Sequence, residues 1–299
     1  MENLTNKYID LHIHTTYSDG TASLPEIIHE ARIKQSKMIA ITDHDRLLSK
    51  EDISLISKVK GNMMVIPGAE LSTDYYLDGK KIRLHILCYG LDERATDLND
   101  KLVQFEQARE EGNKIYIHEL CKRLDFLDEQ EFDAFDYKKY GWLSKRILNY
   151  IENLELQDTN LDLLKTALQY VKPIYRKCTF ETQDVFDLIR EYGGISSWAH
   201  PFETKLSPKE LEIIANDLKR KGLNGIEVVN AYGTDEQNYI SNVLADRYNL
   251  LKSCGSDLHV IGLSNSISRG INDNMCITDI SMADKLVSKR MTIEKDSAK

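Results

Sequence analysis

The sequence predicts an α/β fold whose sheet curls into a barrel, and two observations predict it. Short apolar, β-forming runs alternate with helical stretches, the rhythm of a parallel sheet covered by helices. Residue types that bind metal or move protons then recur where those runs stop: six of the eight histidines stand at or just past a strand end. In a closed parallel sheet every C-terminal strand end opens on one face, so residues so placed would meet there.

The first strand, residues 8–14, reads YIDLHIH and runs into the turn-formers Ser18, Asp19 and Gly20. Side chains two apart on a strand leave the same face, so His12 and His14 stand side by side and can share one ion. A helix over 24–37 takes Ser23 as N-cap, with Pro25 and Glu26 in its first turn. A buried strand at 38–42 ends in DHD at 43–45, and a helix over 50–60 leads to a strand at 63–67 ending in Gly68, Ala69 and Glu70. Asp78-Gly79 is a hairpin signal between Tyr75–Tyr76 and a second arm at 83–89 that carries His85.

From 97 to 178 the chain turns helical, charged and poor in strand signals, with helices expected at 98–124, 144–155 and 161–171. The stretch reads as an insertion capping the barrel mouth, which leaves 1–96 and 179–299 as the barrel. The alternation resumes with a helix at 182–191, a strand at 195–199 running into His200-Pro201, and a helix at 208–221. A strand at 225–230, a helix at 234–248 and a strand at 250–254 follow, the last leading to GSDLH at 255–259. The tail from Ile261 is less regular.

At 299 residues the chain can bury a sizeable core. A formal net charge of −9 disfavours an extended nucleic-acid track or an anionic membrane surface as partner. Five cysteines, an odd count without a C-x-x-C, fit a reducing compartment. With no apolar leader and no membrane-length apolar run, the expected location is the cytoplasm.

His12, His14, His44, His85, His200 and His259, taken with Asp19, Glu70 and Asp257, point to a polynuclear metal site. His29 and His118 fall in helices and read as ordinary surface or packing residues. Nitrogen ligands suit Mn, Fe or Zn, whereas a magnesium site would favour oxygen. Asp43, next to His44, reads as an orienter of that ligand or as a proton shuttle. Glu227 and Asn230 end a strand and either line the pocket or serve the fold.

The ordered blocks HIH, SDG, TDHD, GAE, AHP and GSDLH resemble the PHP (polymerase and histidinol phosphatase) family. Within it, the helical insertion and the tail are most similar to the nucleoside 3′,5′-bisphosphate phosphatases and short-RNA 5′-exonucleases. The resemblance implies a distorted (β/α)7 barrel holding two or three divalent ions. It assigns His12, His14, Glu70 and Asp257 to one ion, Glu70, His85 and His200 to a second, and Asp19, His44 and His259 to a third. Glu70 would bridge the first two, and it and Asp43 are the residues expected to act in catalysis.

Three dications against three carboxylates would leave positive charge on an acidic protein, which suits a phosphate ester attacked by a metal-bridging hydroxide. The substrate is expected to be a small phosphorylated molecule, a bisphosphonucleotide or a short oligonucleotide. Lys145, Arg146, Arg176 and Lys177 are the basic residues expected to contact its phosphate. The branch carries an Arg and a nearby His where this chain reads LSKRI at 143–147, and a Lys in the Arg position would lose bidentate recognition. Histidinol phosphate is the alternative substrate within the same chemistry. An amidohydrolase-type barrel cleaving C–N bonds also opens with His-x-His, but the TDHD and GAE blocks disfavour it.

Overall fold

The computed structural model describes residues 9–91, 95–134, 150, 154, 158–171, 180–230, 233–262 and 280–296. The chain divides into two compact units, Met1–Leu98 with Phe180–Lys299, and Asn99–Thr179.

In the first unit, β1 (Ile9–Ile13), α1 (Leu24–Ile33), β2 (Met38–Ile41), α2 (Lys50–Val59) and β3 (Met64–Leu77) follow in turn. Serine starts both helices: Ser23 donates to Glu26, and Ser49 both donates to Asp52 and accepts from its N–H, so at α2 a first-turn N–H and the cap are satisfied together. α1 and α2 lay Leu24, Ile27, Ile28, Ala31 and Ile56 against Ile13, Ile39, Ile41 and Val65, a core sealed between sheet and helices.

β3 is far longer than its apolar run suggests. It continues through Glu70 to Leu77 and pairs in unbroken antiparallel register with β4 (Lys80–Tyr89). Asp78 and Gly79 both have positive φ, 49° and 77°, the backbone a two-residue hairpin turn needs. The sheet order is β1-β2-β3-β4-β6-β7-β8, where β6 is Ile195–Trp198, β7 is Gly225–Asn230 and β8 is Leu251–Gly255. The two-residue strand β5 (Phe180–Glu181) sits off this path against β3. The expected parallel sheet is therefore interrupted: β4 runs antiparallel to both β3 and β6, because the hairpin reverses the chain without a helical crossover.

After the strands β1 and β8, the sheet closes nearly into a barrel. His14 N donates to Leu258 O at 3.0 Å, Leu258 N reaches His12 O at 3.4 Å, and Ile13 bridges Leu258 in parallel. Asp10 ties the seam, accepting from Ser256 N at 2.9 Å and Ser256 Oγ at 2.6 Å.

The second unit holds most of α3 (Thr96–Cys121) together with α4 (Glu129–Ala134) and α5 (Asp158–Val171). Its own apolar cluster gathers Tyr116, Ile117, Leu120, Leu124, Phe132, Tyr150, Leu164 and Ala167. The helix expected at 144–155 lies mostly outside the described residues. Back in the first unit, α6 (Thr182–Glu191), α7 (Pro208–Lys221) and α8 (Asp235–Arg247) precede β6, β7 and β8. A further helix, α9 (Ser281–Asp296), appears in the tail that reads as irregular. Among the described residues no helix is long and apolar enough to cross a membrane.

Candidate metal centre

Six imidazoles and three carboxylates gather at one end of this sheet. His12 lies on β1 and His14 just past it, Glu70 on β3 and His85 on β4 are diagonal neighbours on one face of the hairpin, and His44 bridges Glu70 after β2. His200 follows β6, and Asp257 and His259 follow β8. The rings touch in a continuous set, with centroids 4.5 Å apart for His14–His44 and His14–His259 and 5.1–5.6 Å for His12–His14, His12–His200, His44–His85 and His85–His200.

Two of these residues stand in backbone conformations that L residues seldom adopt. His200 has φ 26° and ψ 61°, and Asp257 has φ 50°. Such strain persists where surrounding structure enforces it, and it clusters at working sites. Here it turns both side chains inward.

Four of the histidines have one ring nitrogen taken up by an acceptor, which aims the other at the cluster. His12 Nδ1 is 3.2 Å from Glu227 Oε1, and His259 Nδ1 is 2.8 Å from Asp257 O. His200 Nδ1 faces Glu203 at 3.3 Å. His14 Nδ1 meets Ser18 Oγ at 3.3 Å; that hydroxyl donates to Asp43 Oδ1 at 2.7 Å, leaving its lone pairs for the ring N–H. The four Nε2 atoms are left as inward donors.

The donor atoms then lie close enough to share one ion between them. His12 Nε2 and His14 Nε2 are 3.1 Å apart, and each is 3.2 Å from Glu70 Oε2. Asp257 Oδ1 is 3.4 Å from the first and 3.1 Å from the second. Bonds of about 2.1 Å from one ion to its ligands imply ligand-to-ligand edges of roughly 3.0–3.4 Å, so these four atoms fit a metal. Glu70 Oε2 and Asp257 Oδ1, two of these four atoms, are buried with no hydrogen-bond donor assigned to them, as lone pairs directed at a shared ion would be, and His85 Nδ1 in the adjoining group is in the same position.

Two further groups adjoin the first. Asp19 Oδ2 is 3.1 Å from His259 Nε2, with His14 and His44 beside it. His85 Nδ1 and His200 Nε2 approach Glu70 Oε1 at 3.0 and 2.8 Å. His44 stands between them: its Nδ1 is 3.1 Å from Glu70 Oε2 and its Nε2 is 3.9 Å from Asp19. The resemblance assigns His44 to the Asp19 group alone, whereas the geometry lets it serve either side.

Charge in this dry pocket follows the carboxylates. Burial would lower the pKa of His14, but Asp257 and Glu70 beside it overcome that and push it up to about 10. His200 rises to about 9, against burial, because of Glu70, and His12 also rises. His44 goes the other way, to about 3, because burial and the neighbouring imidazoles outweigh Glu70 and Asp19. Burial raises Glu70, Asp257 and Asp19, yet the imidazoles hold all three below the carboxylate range.

Asp43 lies outside the donor-atom groups. It accepts from Thr15 N, Thr15 Oγ1 and Ser18 Oγ at 2.7–2.9 Å, so it acts on His14 through Ser18 rather than on His44. Glu227, fully buried, joins His12 to the backbone N–H of His200 at 2.8 Å. Asp10, the acid two residues before His12, was not singled out by sequence, nor was the packing reason for Gly255. A Cβ on Gly255 would fall 2.1 Å from His12 Cβ. Of the two residues set aside, His118 pairs with Glu129 at 2.9 Å in an exposed position, and His29 is exposed on α1. Lys145, Arg146, Arg176 and Lys177 lie outside the described residues.

A family model for the PHP domain matches residues 10–173. The chain is 25% identical over 258 residues to a 5′-3′ exoribonuclease of Haemophilus influenzae, covering 86% of this chain and 91% of that protein. It is 24% identical over 267 residues to a 3′,5′-nucleoside bisphosphate phosphatase of Chromobacterium violaceum, covering 85% and 88%. Among solved structures, an amidohydrolase from Chromobacterium violaceum with bound sulfate and no metal superimposes with a TM-score of 0.73. It covers 94% of this chain and 96% of that one at 20% identity, a likeness of fold.

Proposed function

The chain belongs to the PHP domain family, and from that premise we propose that it is a metal-dependent phosphoesterase acting on small nucleotides, either 3′,5′-bisphosphonucleotides or short oligonucleotides. The observation that carries this reading is the convergence of His12 Nε2, His14 Nε2, Glu70 Oε2 and Asp257 Oδ1, with edges of 3.1–3.4 Å. The two relatives' names, an exoribonuclease and a bisphosphate phosphatase, support phosphate esters of nucleotides as the substrate class.

His12, His14, Glu70 and Asp257 hold one ion. Glu70 with His85 and His200 holds a second, and Asp19, His44 and His259 hold a third, the cations being two or three of Mn, Fe or Zn. Bound there, divalent ions supply Lewis-acid polarisation of phosphoryl oxygen and water made acidic near neutral pH. The protein's share is to present the lone pairs. Glu227 and the carbonyl of Asp257 fix the tautomers of His12 and His259, and Asp43 does the same for His14 through Ser18. Burial of Glu70 at the centre keeps bulk water from competing for its oxygens.

The test is phosphate release from a panel with Mn added: a 3′,5′-bisphosphonucleotide, short 5′-phosphorylated RNA, nucleoside monophosphates and histidinol phosphate. Release from the first two, abolished by chelation and restored by metal, is the expected result. Purified protein should carry two to three ions, and Glu70→Ala should lose both turnover and at least one of them. Full turnover after exhaustive chelation would falsify the reading.

A further inference from the structure

The β3–β4 hairpin runs on beyond the two ligands it supplies. Its register pairs Glu70 with Leu87, Ser72 with His85, Asp74 with Arg83 and Tyr76 with Lys81, and no bulge interrupts it. Side chains two apart share a face, so Lys81, Arg83 and His85 leave β4 on one side, the side of Glu70. Burial confirms the alternation: Ile82, Leu84 and Ile86 are buried on the opposite face, whereas Lys81 and Arg83 are exposed and His85 is intermediate. From the metal centre outward, the same face thus offers an imidazole, a guanidinium and an ammonium.

Asp74 engages Lys81 directly but leaves Arg83 beyond a hydrogen bond. It is 4% exposed and lies 2.6 Å from Lys81 Nζ, whereas Arg83 Nη2 is 3.6 Å away. Among the described residues, Asp74 is the single ion-pair partner of Arg83, so the guanidinium's forked donors stay available. Tyr76, opposite Lys81, is 50% exposed, a large share for an aromatic ring. Cations beside an exposed ring are the means by which single-stranded nucleotides are held: donors for phosphate, a flat face for the base. On a chain of net charge −9, a cationic row beginning at a ligand histidine is placed for an anionic substrate.

We propose that Arg83 and Lys81, with Tyr76, form the subsite for the part of a nucleotide that is not cleaved, the second phosphate and its base. This rests on the phosphoesterase reading above. With the cleaved phosphate at the metal centre, Arg83 stands one pleat farther along the strand, about 6.8 Å by the rise of two residues, and takes the next anionic group. Preference for a bisphosphate over a monophosphate then resides in the barrel's own hairpin.

The experiment compares kcat/KM for a 3′,5′-bisphosphonucleotide with that for the matching 5′-monophosphate, in wild type, Arg83→Gln and the Lys81→Ala/Arg83→Gln pair. The ratio of the two should fall about tenfold in Arg83→Gln, mainly through KM, and further in the pair. Arg83→Lys should recover only part of it, because the fork is lost. Bound metal, measured in parallel, should match wild type, which separates loss of a subsite from loss of the centre. In Tyr76→Ala the preference for the nucleotide over a base-free sugar bisphosphate should drop. An unchanged ratio in the cationic variants, or a wild type indifferent to the second phosphate, overturns the subsite; an unchanged preference in Tyr76→Ala overturns the assignment of the base. A wild type inert toward every phosphate ester, with metal supplied, removes the phosphoesterase reading and the subsite with it.

Discussion

Replacing Glu227 with Gln would alter no volume but would reverse one hydrogen bond. The backbone N–H of His200 needs an acceptor, which the amide oxygen can provide. The amide NH2 is then left facing His12 Nδ1, so the ring must accept there and carry its proton on Nε2, the atom 3.2 Å from Glu70. A protonated Nε2 cannot ligate. We expect Glu227→Gln to lower metal affinity about 10- to 100-fold, read by titration against a competing chelator; wild-type affinity would mean that something else sets the tautomer. Gly255→Ala drives a methyl into His12 Cβ, and overpacking of this kind costs about 1–3 kcal/mol or more, so its melting temperature should fall clearly below wild type. The sequence marks Glu227 as lining the pocket or serving the fold, but not its hold on His12, and it gives no sign of the packing at Gly255. Histidine and aspartate advertise ligation by their chemistry, but a glutamate in GIEVVN and a glycine in GSDLH acquire theirs from neighbours more than 200 positions away.

At the scale of elements, what could be read was what local pattern controls. Strand β7 and helices α6 and α7 fall where apolar periodicity places them, and at the start of α7 Ser207, Pro208 and Glu210 add a cap that acts within one turn. The strand β3 is the opposite case. The Asp78-Gly79 turn with Tyr75–Tyr76 announces the hairpin, but the stretch from 70 to 74, which lacks an apolar run, is held by pairing with β4 and β5, which a local window cannot detect. The seam between β1 and β8 is likewise invisible locally, and it carries a pH dependence. Burial raises Asp10 from 3.8 to about 6, even though Ser256 and the His12 N–H donate to it. A carboxyl raised in the fold contributes stability that is complete below about pH 3.8 and is lost as pH climbs through 6, because the folded state then holds a charge it cannot solvate. The difference amounts to about 3 kcal/mol at most. In metal-free protein, Asp10→Asn should therefore be at least as stable as wild type at pH 7, with a flatter profile between pH 4 and 7 in urea titrations. A clear loss at pH 7 would show that the ionised form is the one the seam requires.

Taken as a whole molecule, the first unit is a sheet whose strands bring carboxylates and imidazoles to one end, where metal ions and protons compete for the same lone pairs. Without metal, His14 and His200 hold protons well past neutrality, to about 10 and about 9, because Glu70 and Asp257 outweigh their burial. A raised imidazole contributes stability that is complete below its unfolded value of 6.5 and vanishes as pH rises through the folded one. The lowered carboxylates Glu70, Asp257 and Asp19, together with His44 at about 3, lose their contribution as pH falls. Metal-free protein should thus melt highest near about pH 6.5, losing stability steadily as pH rises from there toward about 9–10 and also as it falls into the acid range. Metal must displace the protons on His12, His14 and His200, so binding should release protons and tighten as pH rises. The gain in melting temperature on adding Mn or Zn should accordingly grow from pH 6.5 to 9.5, where the metal-free fold is losing its imidazolium–carboxylate pairs. Melting curves with chelator and with metal across that range decide the matter. If the metal-free curve is flat and the metal increment constant, the imidazoles are already neutral and the cluster is held together by something other than these charges.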